Sequence, residues 1–323
     1  MTKHPRMIAA IALVTLAAVA LTGCLVEKKD PEPPNYRTTD NLRIYKQGDW
    51  IRYNVFATTT IAGPSRGDFS NGTLEVRWGN YSPLPSPDNN ASNNGDIYDV
   101  IEKRYLFCLN DTGGTPCTPE VVAIQYVHQD DLTTDTAGTE RLVAMGGHPT
   151  PGQYYWLNTT AGSTAAPANP DNNIVGGQET VITLNSPLFI NDDYTVKYHL
   201  MDGCILGTAK CQSDVGQFTH TITVVGDSTQ INTNIGNYAN PFRVSFTRGK
   251  AVPDTSVGSQ LPLTFDIFDL CSDGNSTHFG HMYIVPEVGI IQMSNTCTDS
   301  DTSGITRYDI TIDDISSSIP SGS

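Results

Sequence analysis

The chain is poor in charge, and poorest in basic residues. Only 16% of its 323 residues are charged, and 34 acidic residues outnumber 19 basic ones. An average globular domain carries about 25% charged residues. A surface for nucleic acid needs clustered Lys and Arg, so the composition argues against nucleic acid as a partner. The low charge also excludes a disordered acidic tail, which combines high net charge with few aromatic residues.

The chain lacks the repeats and motifs of several other protein classes. Neither a heptad nor a Gly-X-Y period appears, which excludes a coiled coil and a collagen. The metalloprotease, P-loop and dinucleotide-binding motifs are missing, and the sequence predicts no cofactor. After residue 21, no apolar run reaches the roughly 20 residues that a membrane-spanning helix needs.

The N-terminus carries the pattern of an export signal. Lys3 and Arg6 precede an apolar run that begins at Met7 and ends in Leu21-Thr22-Gly23-Cys24. At about 15 residues, the run is shorter than a bilayer span and is typical of a secretory signal peptide. The final tetrapeptide resembles the lipobox of bacterial lipoproteins, L-[AST]-[GA]-C, at all four positions. The resemblance implies a signal peptide over residues 1–23 and attachment of diacylglycerol and palmitate at Cys24.

Residues 24–40 are predicted to tether a domain to the membrane. The segment is rich in Pro and mixed charge, with Pro31-Glu32-Pro33-Pro34 near its centre, and such a sequence is stiff and extended. Stable anchoring requires more than one acyl chain, which multiple acylation of Cys24 would supply. In Gram-negative lipoproteins an Asp after the Cys favours retention in the inner membrane. Leu25 stands there in this chain, so the resemblance implies the outer membrane.

Six further cysteines are expected to form disulfides, because the chain is predicted to be exported. Proximity in the sequence suggests three staples, although the connectivity stays open: Cys108 with Cys117, Cys204 with Cys211, and Cys271 with Cys297. Zinc is the competing interpretation. The chain has no C-x₂-C pair, so we favour disulfides.

Apolar and polar residues alternate along most of the chain after residue 41, which predicts β-strands. We therefore predict an all-β, antiparallel domain over residues 41–323, with about 12–15 strands and disulfide staples. The strands would form a large curved sheet or open barrel, or a sandwich. Residues 81–96 and 158–178 are loops by composition, and the second loop is a possible break between subdomains. Residues 118–127 fit a strand or a helix start, and we interpret them as a strand.

Two short motifs resemble a group of β-rich bacterial envelope lipoproteins that have no assigned activity. The first is Tyr45-x-x-Gly48-Asp49-Trp50-x-x-Tyr53, and the second is Val288-Gly289-Ile290-Ile291. In that group, an early and a late strand with these patterns bracket a curved antiparallel sheet. The resemblance implies such a sheet and carries no activity.

Two motifs could belong to a hydrolase. Gly63-Pro64-Ser65-Arg66-Gly67 matches G-x-S-x-G, and Gly226-Asp227-Ser228 follows a predicted strand. A nucleophile elbow requires a helix after the Ser, and neither motif is followed by helix-forming sequence. We interpret both as turns.

The candidate metal ligands are Asp299, Asp301 and Ser303, which resemble the start of a calcium loop. The twelfth position of that loop is Ile310, where the calcium loop needs Glu. A polar loop after Cys297 is the alternative, and we expect no metal.

We therefore expect a membrane-anchored envelope lipoprotein with a non-catalytic binding or structural β domain. Its partners would be the membrane, through the lipid anchor, and an envelope protein or small ligand. The alternatives are a secreted hydrolase on a β scaffold and a calcium-stabilised surface adhesin. Trp50, Trp78 and Trp156 are expected in the core, although aromatic residues also serve in binding.

Overall fold

The computed structural model describes twelve segments of the chain: residues 42–60, 67–85, 97–109, 118–129, 138–146, 153–159, 181–184, 186–205, 213–227, 230–253, 277–298 and 305–322. The chain divides into two compact units, residues 1–37 and 38–323, and every described residue belongs to the second. The predicted signal peptide and tether lie outside the described residues and stay predictions, as does the break near residues 158–178.

The described residues hold fifteen strands and no helix, which confirms an all-β domain. The strands are β1 Trp50–Thr60, β2 Gly67–Pro85, β3 Ile97–Leu109, β4 Glu120–Gln129, β5 Glu140–Met145, β6 Gln153–Thr159, β7 Val181–Leu184, β8 Asp193–Ile205, β9 Ser213–Asp227, β10 Gln230–Thr233, β11 Gly236–Ala239, β12 Phe242–Pro253, β13 Thr277–Val285, β14 Gly289–Thr298 and β15 Ile305–Ile315. No helix in this part of the chain is long and apolar enough to cross a bilayer.

Thirteen of these strands form a single antiparallel sheet in the order β4-β3-β2-β1-β15-β14-β13-β12-β9-β8-β6-β5-β7. A further pairing joins β4 to β5, with Gln125 opposite Met145. The strands β10 and β11 form a separate hairpin. The predicted large antiparallel sheet is therefore what the structure has, and the described strands do not form a two-sheet sandwich.

The period-2 pattern of the sequence sets the two faces of the sheet. On β1 the odd-numbered residues from Ile51 to Ala57 are buried, and the residues between them are more exposed. One core cluster takes side chains from distant parts of the strand order, including Val127 on β4, Leu142 on β5 and Ile222 on β9. Because all of these strands belong to one sheet, the sheet curves around its core.

The early motif at Tyr45 and the late motif at Val288 meet in the structure. The Tyr45 hydroxyl donates a hydrogen bond to the Val288 carbonyl oxygen at 2.9 Å. Gly289 follows with a φ of 106°, and a Cβ there would overlap that same hydroxyl. The Tyr45 ring stacks on Trp78, with centroids 3.8 Å apart and planes 12° apart. The late motif therefore needs glycine at the position where it receives Tyr45 of the early motif.

Three details of the strand prediction are corrected or confirmed. Composition predicts a loop at residues 81–85, but these residues extend β2 and pair with the start of β3. Gly226 and Asp227, for which the sequence predicts a turn, are the last residues of β9, and Ser228 lies outside the described residues. The ambiguous segment 118–127 does contain a strand, β4.

None of the three predicted disulfides is shown among the described residues. Cys108 is buried at the end of β3. The other five side chains are not among the described ones, so no partner sulfur and no pairing is seen. The pairings of Cys117, Cys204, Cys211, Cys271 and Cys297 stay predictions.

Candidate functional site: a groove on the outward face of the sheet

An open groove of about 640 Å³ lies where β1, β2 and β3 run side by side. Its outward-facing lining includes Trp50, Arg52, Glu75, Arg77, Glu102 and Arg104. These residues alternate along their strands with core residues such as Val76, so the groove is on the face away from the core. The arrangement is a polar, aromatic-edged surface that is open to solvent.

The strand register aligns three of these side chains in one row. Trp50 on β1 lies opposite Arg77 on β2, and Arg77 lies opposite Arg104 on β3. Adjacent strands are about 4.8 Å apart, so the row crosses roughly 10 Å of the sheet. The row places one aromatic ring and two guanidinium groups side by side.

Each arginine of the row is held by a carboxylate two residues earlier on its own strand. The Nε of Arg77 donates to Glu75, and the Nε of Arg104 donates to Glu102. The side chains of Arg77 and Arg104 are 57% and 50% exposed, whereas those of Glu75 and Glu102 are only 17% and 20% exposed. The groove therefore presents guanidinium groups outward, with the carboxylates beside and beneath them.

A third arginine borders Trp50. The Arg52 guanidinium carbon lies 6.0 Å from the Trp50 ring centroid. Its Nε donates to Asp313 at 3.2 Å, and its Nη2 donates to Asp314 at 2.9 Å. The pKa of Asp313 is held below its ordinary value, first by a hydrogen bond from Asn234 and then by those from Arg52 and Asn54. Arg52 is thus fixed by β15, unlike the two arginines of the row.

A buried carboxylate closes one end of the groove. Asp49 accepts hydrogen bonds from the Lys46 backbone N–H at 3.0 Å, from the Ser318 hydroxyl, and from Nη2 of Arg43 at 3.5 Å. The Trp78 backbone N–H in turn donates to the Asp49 carbonyl oxygen at 2.9 Å. These contacts tie the start of β1 to the C-terminal segment and fix the position of Trp50.

A β-bulge shapes the neighbouring wall. The register between β2 and β3 shifts between Trp78 and Tyr81, which brings Gly79 and Asn80 to the groove. The side-chain carbonyl of Asn80 accepts a hydrogen bond from the side-chain amide of Gln47 at 2.6 Å. Bulges commonly re-aim side chains next to functional sites.

A second polar cluster lies on the core side of the same strands. The Lys103 Nζ is 2.8 and 2.9 Å from the two carboxylate oxygens of Glu140, and it lies 5.7 Å from the Trp78 ring centroid. The Tyr105 hydroxyl donates to Gln125 at 2.9 Å. These groups satisfy one another inside the core, so we assign them a structural role.

None of the sequence-predicted site residues is among the described residues that line this groove. Cys24 and the calcium candidates Asp299, Asp301 and Ser303 lie outside the described residues, so both predictions stay open. Both hydrolase motifs include undescribed residues, with Ser65 and Ser228 among them. Within the described part of the chain, no group of three or more His, Cys, Asp or Glu residues could hold a metal ion.

The expectation for the tryptophans is half correct. Trp78 is 3% exposed and belongs to the core, as expected. Trp50 is only half-buried and lines the groove, because it belongs to the even-numbered residues of β1, whose side chains face away from the core. The side chain of Trp156 is not described.

Sequence reasoning did not single out the arginines of the groove. A signal was present, because Glu75-Val76-Arg77 and Glu102-Lys103-Arg104 repeat one Glu-x-Arg pattern on successive strands. Charged residues alternating with core residues are the usual pattern of a solvated face. Only the strand register, which puts Arg77 opposite Arg104, distinguishes this face from an ordinary solvated face of a sheet.

Comparisons with known proteins give little further guidance. No family model and no curated protein matches the chain. The chain is similar to a crystal structure from Bacteroides fragilis, described as an exported protein with a YmcC-like fold, at 10% identity and a TM-score of 0.34, covering 86% of this chain and 99% of that one. It is also similar to a structure described as a lipoprotein from Parabacteroides distasonis, at 11% identity and a TM-score of 0.30, covering 84% of this chain and 96% of that one. These descriptions fall in the exported and lipoprotein classes that the N-terminus predicts, and TM-scores this low carry no argument about fold or function.

Proposed function

We propose that this chain is a lipid-anchored lipoprotein of the bacterial cell envelope whose β domain binds a ligand or partner through the outward groove, without catalysing a reaction. The observation that carries the proposal is the groove itself, where Trp50 stands in one row with Arg77 and Arg104 on the solvent side of the sheet. Concave surfaces with a few convergent polar groups are the usual place for a binding site.

The charge pairing in the groove supports binding over acid–base chemistry. Glu75 and Glu102 each accept a hydrogen bond from an arginine Nε, and Asp49 accepts three hydrogen bonds at the closed end. These carboxylates are engaged by donors of the protein itself and hold the arginines and the start of β1 in place, so none of them is positioned to exchange a proton with a ligand in the groove. The hydrolase alternative therefore gains no support from this groove.

The proposed location in the cell envelope is supported by the N-terminal sequence. The tetrapeptide Leu21-Thr22-Gly23-Cys24 after a short apolar run supports cleavage before Cys24 and acylation of its sulfur. Leu25 supports the outer membrane as the destination.

Radioactive palmitate labelling tests the anchor. The wild-type chain and the Cys108→Ala variant should both incorporate label and sediment with membranes. The Cys24→Ala variant should do neither. Equal labelling of wild type and Cys24→Ala would refute the anchor, and Cys108→Ala controls for a general effect of losing a cysteine.

Site-specific photo-crosslinking in intact cells tests the groove. A benzophenone amino acid at Asn80, which lines the groove, should give a reproducible adduct. The same amino acid at Asn71, exposed on the outward face of β2 but outside the groove lining, should not. Equal crosslinking at both positions, or none at Asn80, would contradict binding through the groove.

A further inference from the structure

We infer that the groove binds an oxyanion, a carboxylate or phosphate group, between Arg77 and Arg104, with an attached ring of the ligand against Trp50. This inference rests on the proposed function, because it names the ligand chemistry of the same groove. Four observations on the outward face of β1, β2 and β3 support it.

The first observation is the like-charge pair. Arg77 and Arg104 are directly opposite each other on neighbouring strands. Like charges in that position destabilise a sheet, the ion pairs with Glu75 and Glu102 offset part of this cost, and neither arginine side chain contributes to the core. A local arrangement that opposes stability is expected where it serves a function.

The second observation concerns which guanidinium nitrogen atoms of Arg77 and Arg104 already donate hydrogen bonds within the protein. A guanidinium has five N–H donors in a planar fork. Glu75 and Glu102 each take an Nε, and the Nη atoms of Arg77 and Arg104 make no hydrogen bond within the described part of the chain. The carboxylates therefore orient the two forks and leave the Nη donors for a ligand, and paired N–H donors match the oxygens of a carboxylate or phosphate.

The third observation is the balance of exposed donors and acceptors. The arginine side chains are 57% and 50% exposed, against 17% and 20% for their glutamate partners. A neutral polyol offers donors as well as acceptors and would need exposed acceptors on the protein. The groove offers mainly donors, so its surface favours a ligand that only accepts.

The fourth observation is the position of Trp50. It lies opposite Arg77 on the side away from Arg104, about one strand spacing along the row. A ring attached to the bound anion reaches that distance and can pack on the half-buried indole. The guanidinium carbon of Arg52, which also lines the groove, lies 6.0 Å from the centroid of the Trp50 ring.

The overall charge of the chain adds selectivity. The formal net charge is −15, so anions are repelled by the molecule as a whole. An anion is then retained only where guanidinium groups are concentrated. The row brings the guanidinium groups of Arg77 and Arg104 together, and because Glu75 and Glu102 balance their charge, an anion is held there by the Nη donors and not by a net positive field.

Ligand-observed NMR on the purified full chain tests the inference with phenyl phosphate and benzoate as probes. Benzyl alcohol is the uncharged control. Both anions should bind with a Kd on the order of 1 mM, as expected for ligands of this size. Benzyl alcohol should bind at least about tenfold more weakly, since it lacks the charged acceptor. A clearly tighter Kd for phenyl phosphate would identify phosphate as the preferred group, and a clearly tighter Kd for benzoate would identify carboxylate. Equal values would show that the groove recognises the oxyanion that both groups share.

Two variants locate the site, and a third is the matched control. Arg77→Gln and Arg104→Gln should each raise the Kd of both anions about tenfold or more. Arg307→Gln should leave the Kd unchanged, because Arg307 is 56% exposed on the same sheet and pairs with Asp309 two residues away, but lies opposite Thr58 and Thr296. Thermal unfolding of each variant confirms that it is folded.

Equal binding of benzyl alcohol and benzoate, or an equal loss in Arg307→Gln, would overturn the inference. That failure is distinguishable from failure of the proposed function. Palmitate labelling and the crosslink at Asn80 do not depend on the anion. If both persist while the anion probes fail, the groove binds a different chemistry and only this inference falls.

Discussion

Lys103 and Glu140 form an ion pair inside the core, with the Lys103 Nζ within 2.9 Å of both carboxylate oxygens. The two residues come from β3 and β5, which both pair with β4. The ion pair therefore joins the two strands that flank β4, at the additional pairing between β4 and β5. The side chains are only 10% and 12% exposed, so each charge depends on the other.

We expect Glu140→Gln to destabilise the domain by about 3 kcal/mol, because it leaves a buried, unpaired ammonium. The double variant Lys103→Met with Glu140→Leu should lose less free energy of unfolding, because it removes both charges. Urea denaturation measures both. Asp309→Asn, which breaks the exposed pair with Arg307, is the control and should change stability by less than about 1 kcal/mol. Equal losses in the buried and exposed variants would contradict the assignment.

The contact with Tyr45 determines how much stability a substitution of Gly289 costs. Gly289→Ala places a Cβ against the Tyr45 hydroxyl and strains a residue with a φ of 106°. We expect it to lower the free energy of unfolding by about 3 kcal/mol. Gly48→Ala should cost only about 1 kcal/mol, because Gly48 has a φ of 90° but no atom lies within 4 Å of the place that its Cβ would take. Similar losses for the two variants would show that the contact with Tyr45 is unimportant.

Asp192 gives the domain a pH dependence. Burial raises the pKa of Asp192 to about 6, against a backbone hydrogen bond from Phe189 that lowers it. The folded state therefore keeps a proton that the unfolded chain releases at lower pH. The contribution of Asp192 to stability must fall as pH rises from about 4 to about 6, and then level off.

The variant Asp192→Asn isolates this effect. Relative to wild type, its stability should rise by about 2 kcal/mol between pH 4 and pH 7. Urea denaturation at pH 4, 5, 6 and 7 measures the difference. A constant difference across that range would show that Asp192 ionises alike in both states.

The strands, and which side of each is buried, follow from the sequence. The sequence predicts a strand at Glu140–Met145, and the structure has β5 with the same bounds. It also predicts that Tyr194 and Val196 share one face, and both are buried. Local pattern is sufficient here because burial of one face drives the period of two.

Prolines misled the prediction at the end of β2. Pro83 and Pro85 suggested a loop, but they lie in a stretch that pairs with β3 while β1 pairs only as far as Arg77. A strand with one unpaired edge tolerates a missing N–H there. Pairing partners decide such cases, and a single sequence does not contain them.

The groove was not predictable for the same reason. Trp50, Arg77 and Arg104 are separated by 27 residues or more along the chain, and their alignment depends on two strand registers. Register is fixed by tertiary packing of the opposite face. Conversely, the lipid anchor was predicted from Cys24 and its neighbours alone, because that signal is local in the sequence.

The proposed groove depends on the opposite orientations of Trp50 and Trp78, because Trp50 must face solvent while Trp78 packs in the core. Acrylamide quenching of two single-tryptophan chains measures this directly. The Trp78→Phe/Trp156→Phe chain retains Trp50, and the Trp50→Phe/Trp156→Phe chain retains Trp78. We expect Trp50 fluorescence to be quenched several times more strongly than that of Trp78, which is 3% exposed. Equal quenching in two folded chains would contradict a solvent-facing groove at Trp50.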